Sequence, residues 1–189
     1  TGENVSSAVQ DIVVPDSYTE QMESVALQLC ERSDSLREQA TNVSNRTIEQ
    51  LSRSAEASAQ QKYYSAASFC FTANLELQRQ ILENKSQDQL RGVMNQLRTD
   101  IELFDQSLQT EFSSIGDLEV YMVVRERLLE AHDVVEDQDI GNISSVELGY
   151  AVERFSSAVA WSSFFGLFEE SSMQLDDERL QRACSEQVI

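Results

Sequence analysis

Between Asp16 and Arg91 the chain contains neither glycine nor proline, and over its full 189 residues it has one proline and six glycines. Tight hairpin turns draw heavily on those two residue types, so a many-stranded sheet protein is hard to build from this material. Helix is what remains, and the apolar residues are spaced for it. The densest face runs from Tyr63 to Asn84, where Tyr63, Ala66, Ala67, Phe69, Cys70, Ala73, Leu77 and Ile81 recur at steps of three and four. The small residues on this stretch leave room for close helix neighbours, and Phe69 and Phe71 point to different sides. It reads as the central helix of an all-α protein.

Residues 1–16 read as an entry segment or linker, because Val13-Val14-Pro15 ends a short helical pattern and the residue before proline is pushed out of the helical region. Residues 17–189 read as a single all-helical domain. Ser17 with Glu20 forms a capping signal, and the apolar spacing then favours one long, bent helix to about Ala57, with a turn near Ser58–Gln61. A break in the weakly helical TNVSNRT run is the alternative. Ser86 with Gln89 caps a helix to about Phe112, Asp117 begins the next, and Ser144 with Glu147 caps one extending to about Glu170. A last helix capped by Asp176 carries Leu180, Ala183 and Cys184. The expected architecture is an antiparallel helical bundle of about five to seven helices that opens with a long helical hairpin. Phe69, Leu97, Tyr150 and Phe155 are expected in one core.

A formal net charge of −19, with two lysines against twelve arginines, repels phosphate backbones and argues against nucleic acid as a partner. The longest apolar run, Ala158 to Phe168, is too short for a membrane span, so any membrane association would run through segments outside this chain. Cys30, Cys70 and Cys184 form no CxxC pair and no zinc spacing. Each lies on or near an apolar helical face, which favours buried free thiols and leaves one disulfide open. Five of the seven asparagines, Asn4, Asn42, Asn45, Asn84 and Asn142, begin an Asn-x-Ser/Thr sequon, against roughly one expected by chance. That excess points to a glycan-bearing surface and a cell-surface or extracytoplasmic location, with a soluble cytoplasmic one as the alternative.

His132 is the only histidine and has no Glu-x-x-His companion, so a bundle metal site is not indicated and a structural, exposed or half-buried role is favoured. There is no GxSxG, no glycine-rich phosphate loop and no dinucleotide fingerprint. No catalytic residue, cofactor or metal is assigned, and the chain is read as non-enzymatic. The aromatic cluster of Trp161, Phe164, Phe165 and Phe168 is the one candidate interaction surface, against the plainer reading that apolar residues at helical spacing form core.

The opening Thr1-Gly2, the exit at Val13-Val14-Pro15, and the helical stretches beginning SYTEQM and YYSAASFCF resemble the region after the protease domain in archaeal, membrane-associated Lon-like serine proteases. The resemblance covers residues 1–85. It implies the helical portion of a larger protein, consistent with a chain that begins at Thr1. The family's catalytic serine segment has no counterpart here, and neither Lys62 nor Lys85 sits in its motif, so no catalytic residue carries over. The expected function is a helical interaction or scaffold domain that contacts another domain or chain, with a homo-oligomer left open. The alternative is a stand-alone ligand-binding or sensor bundle with a pocket near Trp161.

Overall fold

The computed structural model describes residues 16–108, 111–112, 114–137 and 142–167. Among these residues it forms six α-helices: α1 Asp16–Gln39, α2 Asn45–Ala59, α3 Tyr63–Glu83, α4 Gln87–Ser107, α5 Ile115–Asp137 and α6 Ser145–Trp161. A 3-10 turn, Ser162–Phe164, follows. Cross-helix contacts set the directions. Cys30 and Ser33 meet Cys70 and Asn74, so α1 and α3 run parallel. Ser54 meets Ala66 and Cys70 while Arg46 acts on Glu76, Asp105 meets Arg125 as Arg98 meets Glu136, and Arg127 meets Ser157 as Glu130 meets Arg154, so each consecutive pair among these is antiparallel. The described helices therefore form an up-and-down antiparallel bundle without a strand.

The favoured single long helix to Ala57 is not what forms. The chain breaks over residues 40–44, where Ser44 turns extended at φ −68° and ψ 153° and its hydroxyl accepts the Thr47 N–H at 3.1 Å. The asparagine, serine and β-branched residues around it favour such local bonds over continued helix. The break lets α2 fold back on α3 and bury Thr47, Ser54 and Ala57. The opening unit is thus three short-connected helices rather than a long hairpin. At the second connection Gln61 takes a left-handed φ of 57°, while Lys62 donates its N–H to the Ala57 carbonyl at 2.9 Å.

Other helix ends also moved from their expected places. Helix α1 starts at Asp16, which puts Ser17 inside it rather than at its cap. Helix α4 stops at Ser107 rather than near Phe112, where the Ser107 hydroxyl donates to the Phe104 carbonyl at 2.7 Å and Leu108 is extended. Helix α6 stops at Trp161 rather than near Glu170, because Ser162 and Ser163 turn their hydroxyls back onto the carbonyls of Val159 and Ala160 at 2.7 and 2.6 Å. Gly166 then adopts φ 81°, a value open to glycine, and donates its N–H to buried Asp117 at 2.8 Å. The helix expected after Asp176 lies outside the described residues, as does the entry segment before Asp16.

Helix α3 is central, packing against α1, α2 and α6. Its Ala66, Ala67, Cys70, Ala73, Leu77 and Leu82 are buried, as the spacing predicts, whereas Ile81 is half-buried because the inward line ends on Leu82. Small side chains permit the close approach. Across the α3–α6 seam, a Cβ on Gly149 would stand 3.4 Å from the Arg79 backbone nitrogen and 3.5 Å from its Cα, so the backbone of α3 lies within contact distance of that position. Of the four residues expected in one core, Leu97 is buried and Phe69 and Phe155 are half-buried against it. Tyr150 is exposed at 37%, since it sits on the side of α6 that faces Glu130 across a solvated edge.

Two cross-links of different chemistry fasten α1. Cys30 and Cys70 are disulfide-bonded, their Cα atoms 5.1 Å apart, which corrects the expectation of free thiols there. Two apolar-face cysteines on parallel neighbouring helices at one level come within bonding distance, and sequence spacing alone does not reveal that. Cys184 lies outside the described residues. Ser54 Oγ sits 3.2 and 2.9 Å from the two sulfurs and donates to the Ala66 carbonyl, so α2 reaches the same point. One turn on, the Asn74 amide donates to Leu29 O at 3.0 Å and accepts from Ser33 at 2.6 Å. On the opposite side, Arg32 grips both carboxylate oxygens of Glu153, which is fully buried, with bonds of 2.6 to 3.1 Å.

Helix starts explain part of the sequon excess. Ser44, Ser86 and Ser144 are each the hydroxyl residue of an Asn-x-Ser and each is the N-cap of a helix. The asparagine two positions earlier lies in the preceding connection. At Ser86 the reciprocal box is complete, with the Gln89 side chain accepting the Ser86 N–H at 2.9 Å. Ser86→Ala is expected to cost about 1 kcal/mol in protein made without glycosylation, the ordinary value of a cap. Asn84→Gln, which removes the same sequon but keeps the cap, should cost less than half of that; urea melts of the two variants check the difference.

Candidate ligand-binding cleft beside Trp161

Trp161 closes α6 at a point where three helices converge. Around it lies a cleft of roughly 190 Å³ between the first turns of α3, the middle of α5 and the last turns of α6, with Leu29 of α1 at its base. Tyr64, Ala67 and Phe71 come from α3, Arg127 from α5, and Arg154 and Ser157 from α6. The antiparallel run of α5 and α6 places both arginines on one wall. Tyr64 is 64% exposed and meets Trp161 edge-on, with ring centroids 6.2 Å apart.

The two arginines are held differently. Arg154 donates to Glu130, which also accepts the Tyr150 hydroxyl at 2.7 Å. The bond from Arg154 holds the Glu130 carboxyl below its usual range, burial opposing it, while burial and then Glu130 push the Tyr150 hydroxyl up. Arg127 has no carboxylate in ion-pair contact among the described residues. Its Nε donates to Ser157 Oγ at 3.1 Å, its Nη1 donates to the Val123 carbonyl at 3.0 Å, and its guanidinium stands 5.1 Å from the Trp161 ring centre. Burial lowers its pKa, the Arg154 charge adds to that effect, and Glu126 and Glu130 offset it from a distance. A partly desolvated cation held by a neutral hydroxyl, a carbonyl and an indole face is unusual, because buried charges are ordinarily paired.

A second cleft, of roughly 270 Å³, lies between α2, α3 and α6 and is lined by Arg46, Glu76, Arg79, Val146 and Tyr150 among others. Its Arg79 is already engaged by Glu76 and Glu83, which raises the arginine pKa and lowers that of Glu76. Arg46 on the same cleft has no ion pair among the described residues, but it is exposed to solvent. The cleft beside Trp161 is smaller, and its arginine without a carboxylate, Arg127, is partly desolvated.

The candidate surface residues are divided by the fold. Trp161 and Phe165 are half-buried, but Phe164 is 1% exposed, wedged between Tyr18 at 5.2 Å and the Trp161 ring at 5.1 Å. Phe164 is therefore core and not interaction surface, because it continues the inward line of Ser157 and Ala160 at helical spacing. Phe168 lies outside the described residues. Of the sequon asparagines, Asn42, Asn45, Asn84 and Asn142 are exposed, and Asn4 lies outside the described residues. His132 is exposed, 3.5 Å from Asp133. The arginines of the cleft carry no sequence motif; only their i, i+3 and i+7 placement relative to the α5 and α6 stripes could have hinted at a shared wall. Among the described residues, no helix is long and apolar enough to cross a membrane and no group of three or more His, Cys, Asp or Glu side chains could hold a metal ion. No family model, curated protein or solved structure matches the chain.

Proposed function

We propose that this chain is a non-catalytic helical binding domain that works outside the cytoplasm, as the accessory portion of a larger surface protein whose partner is another domain or chain. The observation that carries the reading is the Cys30–Cys70 cross-link at the centre of the bundle, since persistent disulfides belong mainly to oxidising compartments. Four exposed sequon asparagines support the same location, although three of the sequon serines already have a capping role. The resemblance to the region after a Lon-like protease domain gives a concrete form to the larger protein, in which the serine/lysine chemistry lies upstream. Peptide mapping of the protein recovered from its native cells, alkylated before lysis, tests the location: a Cys30–Cys70 linked peptide is expected. Fully alkylated Cys30 and Cys70 would overturn it. An upstream reading frame lacking any serine/lysine protease domain would overturn the Lon-like form while leaving the binding-domain reading in place.

A second reading is favoured by Arg127, which is partly buried with no carboxylate in ion-pair contact among the described residues. In it the bundle binds a small ligand in the cleft beside Trp161, and the surrounding helices serve to hold that cleft.

A further inference from the structure

We infer that the cleft beside Trp161 takes a small organic acid, one carboxylate on a flat apolar body, with Arg127 as the carboxylate receptor and the Tyr64, Phe71 and Trp161 rings around the body. This deepens the ligand-binding reading and rests on it. The first argument is donor arithmetic. A guanidinium has five N–H donors, and Arg127 spends one on Ser157 and one on Val123. Three donors therefore have no protein acceptor among the described residues, and a planar fork is the geometry that matches a carboxylate.

The second argument is electrostatic. Arg154 stands on the same wall and Glu130 compensates it, so the residual local charge is that of Arg127, tempered by Glu126 at longer range. This cation is partly desolvated and has no carboxylate in ion-pair contact among the described residues, and an incoming carboxylate supplies one. A net charge of −19 disfavours polyanions, whereas a single carboxylate within a Debye length of about 8–10 Å of Arg127 responds mainly to the local cation.

The third is size. A cleft of roughly 190 Å³ is smaller than the pockets that hold drug-sized ligands and suits a body of one ring or two. Such a carboxylate could belong to a free acid or to the C-terminus of a peptide, and the two are separable by experiment.

Trp161 is the only tryptophan of the chain, so its fluorescence reports on this cleft alone. The intact chain would be titrated with phenylacetate, with 2-phenylethanol and 2-phenylethylamine as neutral and cationic isosteres, and with a tetrapeptide ending in a free phenylalanine carboxylate. Phenylacetate is expected to give a saturable change below about 10 mM, and the two isosteres none. A tighter response to the tetrapeptide would support the carboxylate receptor and assign its source to a chain end. Arg127→Gln should abolish the response and Arg127→Lys should weaken it roughly ten-fold, since a point charge replaces the fork. If the Arg127 variants do not fold, the wild-type comparison of acid, alcohol and amine still decides. Equal binding of alcohol or amine would overturn the carboxylate assignment while leaving a ligand cleft; no saturable response to any probe would overturn both.

Discussion

Breaking the Cys30–Cys70 bond is expected to lower the unfolding free energy by about 4 kcal/mol, from the entropy a loop of this length regains when the unfolded chain is no longer cross-linked. The cross-link spans 40 residues and joins α1 to α3, the two parallel helices on either side of the α2 excursion. Its removal therefore frees the whole opening unit in the unfolded state, while in the folded state the same two helices remain packed through Met22, Val25, Ala26, Leu29, Ala66 and Ala67. For a chain of this size the loss corresponds to a melting temperature lower by roughly 8–16 °C. Urea unfolding of the oxidised chain, the chain in reductant and Cys30→Ala/Cys70→Ala measures it. The last two should agree within about 1 kcal/mol. A midpoint indifferent to reductant would mean that the two sulfurs are not bonded in solution.

Replacing Arg32 by alanine should cost about 3 kcal/mol, the lower end of the range for stripping the partner from a buried charge. The lower end applies because the Arg32 side chain keeps 32% exposure, so water already screens part of the pair, whereas the Glu153 side chain has none. The damage comes from the carboxylate left behind and not from the arginine lost. Arg32→Met/Glu153→Leu, which removes both charges and fills their volume with apolar atoms, is accordingly expected to return to within about 1 kcal/mol of wild type. A double variant as unstable as Arg32→Ala would show instead that α1 and α6 need the ion pair itself to dock.

The helical fold was readable because it rests on local rules. Absence of glycine and proline, apolar residues at three- and four-residue steps, and hydroxyl caps at Ser86 and Ser144 act within one or two turns of chain, and each appears where expected. The burial of Ala66, Cys70, Ala73 and Leu77 on α3 follows from the same spacing. Ambiguity entered where local preferences nearly balance. Residues 40–44 could continue a helix or cap a new one, and the gain from folding α2 back onto α3, a non-local energy, tipped them towards the break.

The cleft shows the same division. Trp161 stood out as an aromatic at the end of an apolar stripe, but whether such a ring faces solvent or core depends on what lies opposite, and Phe164 three residues on turned out to be core. Arg127 and Arg154 look like ordinary surface arginines along their own helices. Only the antiparallel register of α5 on α6 shows that Arg154 is matched by Glu130 while Arg127 rests against Trp161 with no carboxylate in ion-pair contact among the described residues. The cysteines follow this logic too: their helical faces were legible, and their bond required α1 and α3 to lie parallel at one level. The amino-acid sequence by itself determined the helices, the caps at Ser86 and Ser144 and the inward side of α3, because those depend on neighbours a few residues apart. Tertiary structure alone decided the chain break after α1, the disulfide and the arginine without a carboxylate among the described residues, because the last two are meetings of groups 40 and 30 residues apart on different helices, and the break is a choice between near-equal local states that the packing of α2 on α3 resolves.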